Sequence, residues 1–279
     1  MNENSSPSER GPARWFQIAL PVVVVAVLAL LTANVWLTSR LIQQQQSGSR
    51  EHDFWALCQP GSTPGERESA FRHLVAAGNR EWRAADLRGL SLAGIVMPGV
   101  DVQSAGFQRA NLTGANLNAA KLSRTSFELA DLTGADLSQA NLTEARLLHA
   151  ILKGATLRRA SLSAGTIEQV QAENADFAVA DLSDVDCLMA NLTGAKLMGA
   201  NLSGAKLESA ILRGANLSLA RLDGADLTDA DFTNSNWWCA RGLTTEQVAL
   251  LKKKFPPNDS ADPAFKQDYL RWSGDGAAK

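Results

Sequence analysis

Ala110-Asn111-Leu112-Thr113-Gly114-Ala115-Asn116-Leu117-Asn118-Ala119-Ala120-Lys121-Leu122 decides the fold of this chain. A leucine stands at every fifth place, with a small residue two positions before it. Working outward, the register runs back through Phe107, Val102, Met97 and Leu92 to Leu87, and forward without a slip to Phe232. A step of five matches neither the 3.6-residue helix nor the two-residue strand. Sustained over so many units, it calls for a solenoid in which each turn buries its face on the next.

Each unit reads as a small residue, a variable residue, Leu or Phe, then two more, as in Ala190-Asn191-Leu192-Thr193-Gly194. This A-(D/N)-L-x-x tandem resembles the pentapeptide-repeat family, from Ala85 to about Trp238. The resemblance implies an all-β solenoid, a right-handed quadrilateral β-helix. Each unit forms one side of a square and four units make a coil, with the central and small residues pointing inward. Gly and Ser, frequent at the fourth and fifth positions, suit the corners. Thirty central positions from Leu87 to Phe232 give seven and a half coils, roughly 36 Å at ~4.8 Å per coil. Residues twenty apart should stack, so Phe107 should touch Phe127. The expected core is Phe107, Leu112, Leu117, Leu122, Phe127, Leu132, Leu137, Leu142, Phe177, Cys187 and Leu192. Ala172 and Cys187 are small for central positions, but Val170 and Val185 are enlarged beside them, which conserves volume. Ser163 to Asn174 fits the pattern least, and a bulge or corner distortion is expected there.

Residues 15–37 carry no charge and are aliphatic in the middle, with Trp15 and Trp36 near the ends. As a helix this run spans about 35 Å, enough for the hydrocarbon layer, with indoles at the interfaces. We read it as a single-pass transmembrane helix. A cleaved signal peptide is the competing reading, and Leu31-Thr32-Ala33 matches its cleavage site poorly. Arg10, Arg14 and the amino terminus face Arg40 and Arg50 across the segment. This near balance leans toward a cytoplasmic N-terminus and extracytoplasmic repeats. The expected organisation is a tail (1–14), the transmembrane helix (15–37), a linker (38–62), an N-terminal capping helix (63–84), the β-helix (85–238) and a C-terminal helical cap and tail (239–279). Thr63-Pro64-Gly65-Glu66 reads as a capping box, with Phe71, Leu74 and Val75 on one face and Gly78 at the end. Trp82, Trp237 and Trp238 are expected to close the two ends. Thr244 or Thr245 starts an amphipathic helix with Val248, Leu250 and Leu251 on its buried side, and Asp262 to Trp272 reads as another short helix.

The formal net charge of −2 gives no general pull toward nucleic acid. Cys58, Cys187 and Cys239 are odd in number and lack C-x-x-C spacing, so no disulfide framework is expected. His52, His73 and His149 lie in different regions, and no catalytic, metal or cofactor set assembles from matched features. Acids outnumber bases 17 to 12 between Ala85 and Ala240. Asp176, Asp181, Asp184 and Asp186 cluster in sequence, as do Asp223, Asp226, Asp229 and Asp231, with Arg146, Lys153, Arg158 and Arg159 in a basic zone. These charges read as a solvated surface or as a bipolar docking surface. The expected function is a membrane-tethered, non-catalytic scaffold for an unidentified protein partner, its oligomeric state open. The alternative, implied by the resemblance alone, is a DNA-mimicking regulator of a type II topoisomerase.

Overall fold

The computed structural model describes Asp53, Ala56, Leu57 and residues 61–274. The chain divides into two compact units, 1–55 and 56–279, and the second carries everything below. The 15–37 segment read as a transmembrane helix lies outside the described residues. Among those described, no helix is long and apolar enough to cross a membrane.

The repeat block is built from parallel bridges that each join residue i to residue i+20, from Glu81↔Asp101 to Arg221↔Arg241. About eight coils of twenty residues therefore stack in register, roughly 38 Å at ~4.8 Å per coil. The ladder repeats unit by unit. Asn111 donates its N–H to Leu90 O at 2.9 Å. Leu112 and Gly114 donate to Asp131 O and Thr133 O of the next coil at 2.7 and 2.8 Å. Ala115 N–H closes the corner onto Leu112 O at 2.9 Å. The residue after the bridge points inward, so central and small residues line the interior. Phe107, Leu112, Leu117, Leu122, Phe127, Leu132, Leu137, Leu142, Phe177 and Cys187 are wholly buried, and Leu192 is 1% exposed. The Phe107 and Phe127 rings stack at 5.2 Å and 10°.

Each corner is a four-residue turn whose third residue has positive φ, the requirement of a type II turn. This residue recurs at every fifth position from Ala84 to Asn234, with φ between 51° and 70°. Glycine suits such a site, yet Leu129, Val179 and Leu219 also occupy it, at 60°, 60° and 61°. The left-handed conformation is therefore imposed by the ladder on both sides rather than by the local residue.

Four results refine the sequence reading. The Ser163–Asn174 stretch contains no bulge: Ser161↔Asp181, Thr166↔Asp186 and Gln171↔Asn191 continue the register. Gly165 takes the inward small position there, where a Cβ would come within 2.8 Å of Leu162 O and 3.0 Å of Ala145 O. The ladder begins at Glu81, inside the span assigned to the N-terminal cap, and Trp82 sits at a central position, 5% exposed. Finally, Leu250 is 48% exposed rather than packed on the block.

Among the described residues three helices cap the stack. α1 (Pro64–Ala76) starts at a capping box of Thr63 and Glu66 and buries Ala70, Phe71 and Leu74. Phe71 meets Trp82 edge-on at 4.8 Å. After a single 3₁₀ turn (Trp237–Cys239), α2 (Thr245–Lys254) begins at a capping box of Thr244 and Gln247, and α3 (Pro263–Ser273) is N-capped by Asp262. Trp237 is fully buried, donates Nε1–H to Phe255 O at 3.0 Å and packs against Trp238, Tyr269 and Trp272.

Candidate interaction surface

The interior of the block is filled by aliphatic and aromatic side chains, so functional chemistry falls to its four outer faces. We name them after four successive central residues: the Leu87, Leu92, Met97 and Val102 faces. On each face the outward residue just before the central one carries the bridge. Where it is Asn or Asp, it also ties down the corner. Asn111 Oδ1 accepts the Thr113 N–H at 3.0 Å and the Thr113 hydroxyl at 2.7 Å. Asn191 with Thr193 and Asp226 with Thr228 repeat this arrangement. The (D/N)-L-(T/S) signature thus satisfies turn donors that would otherwise depend on water. Sequence reasoning treated these residues only as a surface ladder; the i to i+2 spacing of Asn or Asp with Thr or Ser was the available signal.

The coil redistributes the charge clusters seen in sequence, and only part of each stays on one face: Asp181, Asp184 and Asp223 share the Val102 face, and Asp226 and Asp229 the Leu87 face. Residues five apart lie on successive faces, so Asp176 sits on the Met97 face, Asp181 on the Val102 face and Asp186 on the Leu87 face. Asp226 and Asp231 separate in the same way, onto the Leu87 and Leu92 faces. The basic zone is largely neutralised by ion pairs that cross coils: Arg146–Glu128 at 2.9 Å, Lys153–Glu173 at 3.5 Å and Arg158–Asp176 at 3.2 Å. Arg124–Glu144 and Lys206–Asp186 continue the theme at 2.9 and 3.1 Å. Exposed pairs of this kind contribute little individually, but they set opposite charges together on neighbouring coils. At the N-terminal end, Arg88 grips Asp86 with two hydrogen bonds of 2.8 and 2.7 Å and holds its carboxyl down at about 2.

Open features among the described residues include two of larger volume. A groove of about 310 Å³ lies between the last coil and α2, walled by Leu227, Leu250, Leu251 and Phe255 with Asp226, Asp229 and Lys254 at its rim. A shallower depression near Arg67, Arg88 and Arg109 has about 530 Å³. Neither brings together a nucleophile, a base and an orienting group. His149 stands exposed at a corner and His73 lies in α1, while His52 and Cys58 fall outside the described residues. Among the described residues no group of His, Cys, Asp and Glu could hold a metal ion. Burial raises the Cys187 thiol pKa strongly. Burial and then Asp268 push Cys239 up to about 12, its Sγ 3.0 Å from Asp268 Oδ2. Neither thiol is poised as a nucleophile.

The model of the pentapeptide repeats matches residues 83–118, 110–147, 140–177, 166–199 and 200–236, together more than half of the chain. The chain belongs to the pentapeptide-repeat family. Its i to i+20 ladder is the right-handed quadrilateral β-helix of that family. Among solved structures, this pentapeptide-repeat chain is similar to HetL, involved in heterocyst differentiation regulation in the cyanobacterium Nostoc sp. strain PCC 7120. The identity is 30% over 60% of this chain and 95% of that one, with a TM-score of 0.26. Trypsin-treated QnrB1, a plasmid-mediated fluoroquinolone resistance protein, matches at 19% identity over 63% and 90% of the two chains, with a TM-score of 0.31. A pentapeptide repeat protein of the Arabidopsis thaliana thylakoid lumen matches at 26% identity over 66% and 89%, with a TM-score of 0.20. No curated protein matches the chain in sequence.

Proposed function

We propose that this pentapeptide-repeat protein is a membrane-tethered, non-catalytic scaffold for protein–protein interaction. The observation that carries this reading is the division of labour in the repeat block: the interior is fully occupied, and the backbone ladder holds four outer faces in fixed register. A preordered surface loses little entropy when a partner docks. The tether rests on the uncharged 15–37 run, and confinement to a membrane would raise the local concentration of partners. The cross-coil ion pairs favour this reading over a DNA-mimicking regulator, which needs a face of continuous negative charge. A lean toward extracytoplasmic repeats follows from the flanking arginines.

The test is fractionation and protease access of the full-length protein. It is expected to stay with membranes through an alkaline wash, to be released when residues 1–38 are deleted, and to be cut in intact cells with permeabilised outer layers. Release of the full-length protein by the wash contradicts the tether. Failure to capture any specific partner from detergent extracts, in repeated trials, contradicts the scaffold.

A further inference from the structure

The corner that ends the Met97 face carries an apolar stripe with a self-complementary charge pattern. Its successive rungs are Arg159, Val179, Gly199, Leu219 and Cys239, each linked to the next coil by the ladder: Val179 N–H to Met198 O, Gly199 N–H to Ser218 O and Leu219 N–H to Cys239 O, at 2.8–3.0 Å. Val179, Met198 and Leu219 are 53%, 43% and 55% exposed. The Val179 side chain leans over Gly199, 3.8 Å from where a Cβ would stand, which makes the stripe continuous. Val179 and Leu219 also hold left-handed backbone, φ 60° and 61°, where glycine would be easier. Leu129 and Met189 share both properties on the diagonally opposite corner, so exposure and backbone alone do not single out this stripe, and the charges around it must.

The charges say which contact. Number the rungs from Gly199. Two rungs toward the N-terminus stands Arg159, exposed and without an ion-pair partner among the described residues. Two rungs the other way stands Cys239, with the exposed Asp268 carboxylate against its sulfur at 3.0 Å; Asp268 Oδ2 also accepts from Trp238 Nε1–H at 2.9 Å, which leaves Oδ1 outward. On the adjoining Val102 face, Asp181, which accepts from Asn201 Nδ2–H at 3.0 Å, lies one rung before, and Arg221, paired with Asp223 of its own chain at 3.2 Å, lies one rung after. A two-fold axis perpendicular to the stack at the level of Gly199 exchanges these positions. It sets Val179 against the partner's Leu219, Arg159 against the partner's Asp268 and Asp181 against the partner's Arg221. One axis satisfies all three pairs, as an isologous interface requires.

We propose that this corner is the interface of an antiparallel homodimer, centred on Met198 and Gly199. The stripe is narrow compared with the roughly 1,200–2,000 Å² of a stable interface, so the dimer is a weak, reversible one. The inference concerns the repeat block and is independent of the membrane reading.

The test uses the full-length chain in mild detergent, with Cys58 and Cys239 replaced by serine, and compares Met198→Cys with Met189→Cys under mild oxidation. Met189 is as exposed, at 53%, but occupies the diagonally opposite corner. Met198→Cys is expected to give a disulfide-linked dimer several-fold in excess of Met189→Cys, since it lies beside the axis. In sedimentation of the parent chain, Leu219→Asp is expected to weaken the dimer about tenfold. Arg159→Glu is expected to weaken it too, and both variants should keep the parent's β-type circular dichroism. Equal cross-linking at the two corners, or a parent that sediments as a monomer at every concentration, overturns the proposal.

Discussion

At the scale of single residues, interior volume is shared between neighbours. Ala172 and Val170 are both fully buried, as are Cys187 and Val185. Each small central residue is matched by an enlarged residue two places earlier. Ala172→Leu alone is expected to lower stability by about 1–3 kcal/mol through overpacking. Adding Val170→Ala should recover most of that loss, as a double-mutant cycle in thermal unfolding would show. If the two effects simply add, the compensation is wrong. The thiols give a pH prediction. Cys239 titrates at about 12 in the folded chain, because of burial first and Asp268 second, against about 8.5 when unfolded. The folded state holds its proton while the unfolded state loses it, so stability should fall as pH rises from about 8.5 toward 12. Cys239→Ser should reduce that slope without abolishing it, because the buried Cys187 thiol is raised in the same direction. Iodoacetamide at pH 8 should leave both Cys187 and Cys239 unmodified until denaturant is added.

At the scale of elements, the corners and the caps carry the fold's exceptions. Gly114 has φ 63° and open space around a would-be Cβ. Gly114→Leu should therefore cost about 1 kcal/mol, from backbone conformation alone, while Leu129→Gly at an equivalent corner should be neutral or stabilising. The corner geometry could not be read from sequence, because Arg, Gln, His and Val hold the same left-handed conformation as glycine. The Leu register was readable because only an apolar side chain fits the interior, whatever its neighbours. The cap helices were readable from Thr63-Pro64-Gly65-Glu66 and from Thr244-Thr245, where local hydrogen bonds dictate the start; of the two threonines Thr244 is the N-cap, boxed with Gln247. The exit cap hangs on Trp237, which bonds Phe255 O and packs on three aromatic rings. Trp237→Ala should cost about 3–5 kcal/mol in the cap. Hydrogen exchange should then show α2 and α3 opening while the Leu112–Leu162 coils stay protected.

At the scale of the whole molecule, the surface was the least legible part of the sequence. Residues clustered within ten positions, such as Asp176 to Asp186, disperse over different faces, while partners eighteen or twenty apart, such as Arg158 and Asp176 or Arg124 and Glu144, come together. Neighbourhood on the surface follows the coil, not the chain, and a pattern read along the chain misassigns it. The candidate dimer stripe was hidden for the same reason, since Val179, Met198 and Leu219 meet only once the square is folded. The repeat constrains the interior and leaves the outer faces free to vary, so the fold alone identifies no partner.

The central claim is the twenty-residue parallel register, and distances along one face test it most directly. Spin labels would be placed in a cysteine-free background of the full-length protein, at Thr113 paired in turn with Thr193, Arg213 and Thr233, all on the Leu92 face. The dipolar distances should rise in equal steps, about 19, 24 and 29 Å for four, five and six coils at ~4.8 Å each. Distances that fail to increase in that order, or that depart from a constant increment per twenty residues, contradict the account.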